Sequence, residues 1–194
     1  TLFDLDADGK DEVIVKTSMM SLFFSPAEGG SLVEMDYKPD GVNFSNTLSR
    51  WYEGYHHKLT DKPAEAEGGG AKSIHDTVRV KEPGLAKYLK FDTRRRASLV
   101  ERFIGKDETL KKFFENDHKE LGDFCGSAYD VSIDEGGVLF SRAGNVSGKG
   151  FCVKKDIRLR DADSFSVVYD VKGMDVAGVL FGVEFNLMLP CCDG

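Results

Sequence analysis

The sequence lacks any apolar run long enough for a transmembrane helix, and it has no charged-then-apolar leader before a small-residue cleavage site. It also lacks a surplus of positive charge: 26 Lys and Arg stand against 33 Asp and Glu, a formal net charge of -7. That balance opposes binding to nucleic acid or to an anionic membrane, since both reward a concentrated positive field, so neither is an expected partner. The four cysteines, Cys125, Cys152, Cys191 and Cys192, form no C-x-x-C pair and no zinc-ligand spacing. Reduced thiols in a cytoplasmic protein are the simplest reading, and the Cys191-Cys192 pair receives no role because a vicinal disulfide is strained. Heptads, solenoid periods and extended low-complexity segments are missing too, which excludes coiled-coil and repeat architectures.

What is present is an ordinary globular balance over 194 residues, with 41% hydrophobic and 30% charged residues. This suffices for one packed domain over residues 1–194. The chain opens at Thr1, without methionine and against a structured motif, and is read as a piece excised from a longer protein. Strand signals dominate. The β-branched run Glu12 to Thr17 is followed by Met19 to Phe24, the turn Ser25-Pro26-Ala27-Glu28-Gly29-Gly30, and Ser31 to Asp36. Leu32, Val33 and Met35 do not alternate cleanly, as expected where both faces of a sheet are covered. Gly29-Gly30 precedes a strand rather than a helix, so its role is conformational and not phosphate binding.

A flexible exposed loop is expected over 62–70, and strand character resumes over 73–80, where His75-Asp76 reads as a polar pair at a strand end. Arg94-Arg95-Arg96 reads as an exposed face with acidic neighbours. One short helix is expected over Asp107 to Phe114, with Asp107 as its N-cap. Beyond Gly122, strands are expected at 128–133, 137–142, 150–159, 164–172 and 179–189, separated by Asp/Gly-rich turns. The sum is an all-β, antiparallel sandwich with one short helix.

Two stretches carry chemistry. Ser49 to His57 holds the only tryptophan, Trp51, together with Tyr52, Tyr55, His56 and His57, and with Arg50 and Glu53 between them. Rings for stacking beside a guanidinium, a carboxylate and imidazoles are the mixture that recognises sugars, although the same residues also serve as cross-strand packing. Alternation predicts a strand here, with Trp51, Glu53 and Tyr55 on one side. The second stretch, Asp4 to Glu12, places Asp4, Asp6, Asp8 and Glu12 at loop positions one, three, five and nine, with Gly9 at six and a backbone carbonyl from Lys10. Alternate side chains converge on one centre in such a loop, and hard oxygen donors suit calcium. Position twelve is Val15, so this is not an EF-hand. The competing reading is a β-turn whose carboxylates bind local amides.

In order and spacing, several segments resemble the C-terminal β-domain of glycoside hydrolase family 57, the α-amylase and 4-α-glucanotransferase family. They are Asp4 to Glu12, Gly29-Gly30 through Asp36, Leu48 to His56, Ser73 to Asp76, Arg94 to Leu99, Leu121 to Phe124 and Phe181 to Asn186. The resemblance implies a galactose-mutarotase-like supersandwich. It also implies a separate N-terminal catalytic barrel in the same protein that supplies the nucleophile and the acid/base, so no catalytic residue is carried over to this chain. The resulting expectation is a non-catalytic β-sandwich of a cytoplasmic enzyme acting on α-1,4-glucan, supporting the catalytic barrel and lining its glucan cleft. Arg50, Trp51, Glu53, Tyr55 and His56 are the expected substrate-binding or domain-interface residues. Two alternatives stand beside it. One is a mutarotase-like sugar epimerase pairing His56 or His57 with Glu53 or Glu184 as acid and base, and the other is a free-standing carbohydrate-binding module.

Overall fold

The computed structural model describes residues 1–56, 85–173 and 176–189. His57, the loop expected over 62–70, the strand expected over 73–80 and Cys191-Cys192 lie outside them.

Every strand pair described is antiparallel. Strands β1 (Leu2–Phe3), β2 (Glu12–Lys16), β3 (Met20–Ser25), β4 (Ser31–Tyr37) and β5 (Val42–Asn43) form a five-stranded sheet in chain order. Strand β6 (Val100–Gly105) pairs with β11 (Val179–Glu184). Between them in sequence, β7 (Asp130–Asp134), β8 (Gly137–Val146), β9 (Lys149–Asp161) and β10 (Ser164–Gly173) make a four-stranded meander. The result is an open antiparallel sandwich. Its one α-helix among the described residues is α1 (Leu110–Phe114), and none there is long and apolar enough to cross a membrane.

Strand β3 is buried at all six positions, which explains the lack of alternation around it. Leu22, Phe24 and Leu32 enter the main core with Phe103, Phe124 and Phe140, while Phe23, Val33, Ile14 and Ala97 form a second cluster. The turn into β4 is conformational, as expected: Gly29 has φ +85° and Gly30 φ +57°, and a Cβ on Gly30 would sit 2.8 Å from the Phe140 ring.

Three sequence expectations are corrected. The stretch from Arg50 to His56 is not a strand; it is irregular and ends in a 3₁₀ turn over Gly54–His56. Its polar groups are taken locally, since Asp92 holds the Arg50 amide and the Glu53 amide donates to His56 Nδ1 at 2.9 Å. The helix is capped by Thr109 rather than Asp107: Thr109 Oγ1 accepts from the Lys112 amide, and the Glu108 amide is already used in a turn to Gly105 O. The last strand stops at Glu184, because beyond it Asn186 is tied to Ser98 and Ala97 by side-chain bonds rather than by a neighbouring strand.

Candidate functional site

A cleft of about 650 Å³ opens where the segment following Asp92, strand β6, helix α1 and the end of β11 meet. Its charge contrasts with that of the chain. Five arginines, Arg50, Arg94, Arg95, Arg96 and Arg102, line it against three carboxylates, Glu28, Asp92 and Glu184. Asp92 is the hub on one side. Arg50 Nη2 lies 2.5 Å from Asp92 Oδ1, Arg96 Nε lies 3.0 Å from Oδ2, and the Arg50 amide donates to Oδ2 at 2.7 Å. Partial burial pushes the Asp92 carboxyl up, but the hydrogen bonds from both guanidiniums outweigh it and hold the group well below the usual carboxylate range.

On the other side, Arg102 reaches Glu184 Oε2 at 2.6 Å and Glu120 Oε2 at 3.5 Å, and donates to Cys125 Sγ at 3.0 Å. Glu184 also accepts from Asn186 Nδ2 at 2.8 Å. Burial pushes the Cys125 thiol up, and the charges of Arg102 and Arg94 beside it oppose that shift. Arg94 and Arg95 form no ion pair with a carboxylate among the described residues: Arg95 donates to the Val33 carbonyl at 3.4 Å, whereas the Arg94 guanidinium lies over Gly126, where any Cβ would collide with it. Gly126 has φ +66°, so both the backbone and the space require glycine there.

The aromatic stretch divides at this cleft. Arg50 and Trp51 line it, whereas Glu53, Tyr55 and His56 do not. Instead Tyr52 packs edge-on against His56 and Phe91 and His56 packs tilted against Phe91, at centroid distances of 5.2–5.8 Å, with Tyr55 4.5 Å from His56. Tyr52 and Tyr55 remain exposed. Glu184, one of the two carboxylates expected to pair with His56 or His57 as acid and base, is instead committed to Arg102 within the cleft that His56 does not line. Asp92, Arg94, Arg96, Arg102 and Asn186 carry the cleft, and sequence reasoning missed them as a site. The signal was the basic run itself, whose last member, Arg96, stands four residues after Asp92 and pairs with it.

A retaining glycosidase needs two carboxyl groups about 5–5.5 Å apart, one kept protonated near neutral pH to serve the leaving oxygen. The cleft carboxylates tied to arginine are counter-ions: Asp92 is held ionised, and Glu184 is saturated by Arg102 and Asn186. This arrangement can bind charge and orient a partner, and it has no group free to protonate a glycosidic oxygen at Asp92.

Asp4, Asp6 and Asp8 converge, each offering a carboxylate oxygen within 4.8 Å of the others. The same carboxylates accept local amides, Asp4 from Asp8 and Gly9 and Asp8 from Lys10, so the turn is organised by its own backbone. Glu12 is not in the cluster; it is buried and braces the loop by accepting the Leu5 amide at 2.9 Å. Lys10 contributes its ammonium, 3.4 Å from Asp8. Three hard oxygen donors on one exposed turn fit a calcium ion chemically.

The sequence model of the family described as alpha-amylase/4-alpha-glucanotransferase, C-terminal, matches residues 4–194. The chain belongs to that family. It is 36% identical over 184 residues to a 4-alpha-glucanotransferase of Thermococcus kodakarensis, covering 95% of this chain and 28% of the relative. It is 34% identical over 190 residues to alpha-amylase 1 of Dictyoglomus thermophilum, covering 96% of this chain and 27% of the relative. The crystal structure of 4-alpha-glucanotransferase from Thermococcus litoralis superimposes with a TM-score of 0.79 at 30% identity, over 96% of this chain and 26% of that one. The chain therefore corresponds to little more than a quarter of each of these proteins, their C-terminal β-rich region.

Proposed function

We propose that this chain is the non-catalytic C-terminal β-sandwich of an α-1,4-glucan-acting glycoside hydrolase or 4-α-glucanotransferase, and that it supports an N-terminal catalytic barrel of the same protein. The observation that carries this reading is coverage: nearly the whole chain matches a C-terminal family region, and that region is about a quarter of the enzymes bearing it. The chemistry of the cleft agrees, since a carboxylate pinned ionised by two arginines is a structural counter-ion and not a general acid. A mutarotase-like fold relation and a cytoplasmic location belong to the same proposal. The free thiols of Cys125 and Cys152 fit that location.

Within this reading, the exposed rings of Tyr52 and Tyr55, with Glu53 and half-buried His56 beside them, face the glucan path, because sugar faces stack on exposed rings. In the whole enzyme, Tyr55→Ala should raise KM for α-1,4-glucan by roughly 3- to 10-fold and leave kcat within about twofold, the signature of lost uniform binding. A fall in kcat as large as removal of a nucleophile would overturn the non-catalytic assignment. Calcium at Asp4, Asp6 and Asp8 is part of the proposal as a structural brace for the entry into β2.

A further inference from the structure

The cleft combines three properties that its internal ion pairs do not exhaust. Its charge is positive on a chain whose net charge is -7. Arg94, seated over Gly126, has no carboxylate partner among the described residues. Around these charges stand large apolar groups left to water: Leu110 is 88% exposed, Phe114 72% and Trp51 49%. Leu110 and Phe114 belong to α1, whose Phe113 instead turns inward beneath Arg102, with the guanidinium carbon 5.8 Å from the ring centre.

A small anion would satisfy Arg94 and leave that apolar rim wet. Arginine ringed by exposed aromatic and aliphatic groups is instead the composition of the centre of a protein interface, where water is excluded and a few anchors dominate. Charge selects the partner. An acidic surface is repelled by most of this chain and attracted at this cleft, which fixes where it docks as well as how fast. The relatives supply a candidate of the right size, because close to three quarters of each lies outside the matched region.

We propose that the Arg94 cleft, rimmed by Trp51, Leu110 and Phe114, is the docking surface for an acidic segment of the catalytic domain, flanked by apolar residues. This rests on the reading of the chain as a domain of a larger enzyme. A carboxylate of that segment pairs with Arg94, for which the fork geometry of guanidinium suits a two-oxygen acceptor. Its apolar flanks cover Phe114 and Leu110. Arg50 and Arg96 are already paired with Asp92 and Arg102 with Glu184, while Arg95 donates to the Val33 carbonyl, so these four frame the pocket around Arg94.

The test uses the whole enzyme with the photo-cross-linking residue p-benzoylphenylalanine in place of Phe114, and a control enzyme with it in place of Val168, exposed on β10. Irradiation and peptide mapping should yield, from position 114, an intramolecular link to an Asp/Glu-rich catalytic-domain peptide that the control does not give. Adding Arg94→Glu should cut that yield about tenfold, as expected when an attraction becomes a like-charge contact, while Arg94→Lys should retain most of it. Links to another copy of the enzyme, links to a peptide without acidic residues, or no link at all would overturn the proposal. Failure of the underlying reading has a different signature, glucan turnover by this chain alone, so the two outcomes are separable.

Discussion

Lys155 occupies an inward position of β9, between Val153 and Ile157, and is fully buried. Its ammonium lies 2.7 Å from Glu101 Oε1 and donates to the carbonyls of Gly29, Gly30 and Leu99 at 2.7–3.0 Å. One side chain thus ties β9 to the turn before β4 and to β6, the contact point of all three sheets. Burial drives Glu101 up and Lys155 down in pKa, and each is opposed by the charge of the other. Removing one partner strands the other, so Lys155→Met should cost about 3–5 kcal/mol in denaturant unfolding, and adding Glu101→Leu should recover much of it. A single-mutant cost under about 1 kcal/mol would show that the pair is not the junction described. The sequence hides this residue, since Lys154-Lys155 reads as a solvated pair and only the strand's period, with Val153 and Ile157 on the same face, points inward. Asp92 is hidden differently: its role needs Arg50, 42 positions away. Its folded carboxyl lies below the ordinary value of 3.8, so the stability it adds is complete above that value and is lost as pH falls through the folded one. Wild type should therefore exceed Asp92→Asn by about 1 kcal/mol at neutral pH, an amount moderated by the water that reaches both guanidiniums, and the gap should close in acid. A gap unchanged between pH 7 and pH 2 would contradict the ion-pair account.

At the scale of elements, the meander of β7 to β10 is legible because regular strands alternate with Asp/Gly turns, and each is set by local pattern. Strands β8 and β9 run longer than pattern alone implies, β9 reaching Lys149–Asp161, since pairing with β8 and β10 extends it past the apolar centre. The aromatic stretch fails as a strand for the opposite reason. Its backbone groups are claimed by Asp92 and by its own His56, and its rings pack on Phe91, so alternation there has no sheet to serve. The turn before β4 is both legible and testable. Gly30→Ala introduces a side chain at φ +57° and a Cβ against Phe140, and should lower stability by about 1–3 kcal/mol in equilibrium unfolding. Retention of full stability would mean that the turn can relax away from Phe140. For the acidic loop, the account predicts that calcium at about one hundred times its Kd raises the melting midpoint by roughly 5 °C or more. Asp4→Asn with Asp6→Asn should abolish that shift, and no shift in the parent chain would leave the turn as a purely backbone-stabilised element.

For the whole molecule, the all-β class and the family were both readable, the first from strand pattern and the second from the order of short segments, and the match over residues 4–194 bears them out. The cleft was not readable, because it is assembled from positions between 28 and 186 that no local pattern links. As a unit the molecule presents an open sandwich, an arginine cleft paired with carboxylates on two sides, and an acid at Asp92 held ionised. The central claim is that this unit does not itself cleave or transfer glucan. The most direct measurement incubates the purified 194-residue chain with α-1,4-glucan and follows new reducing ends and changes in oligosaccharide length. The account predicts rates indistinguishable from buffer for both hydrolysis and transfer, while turnover by the chain alone, removed by substitution of one of its own carboxylates, would contradict it.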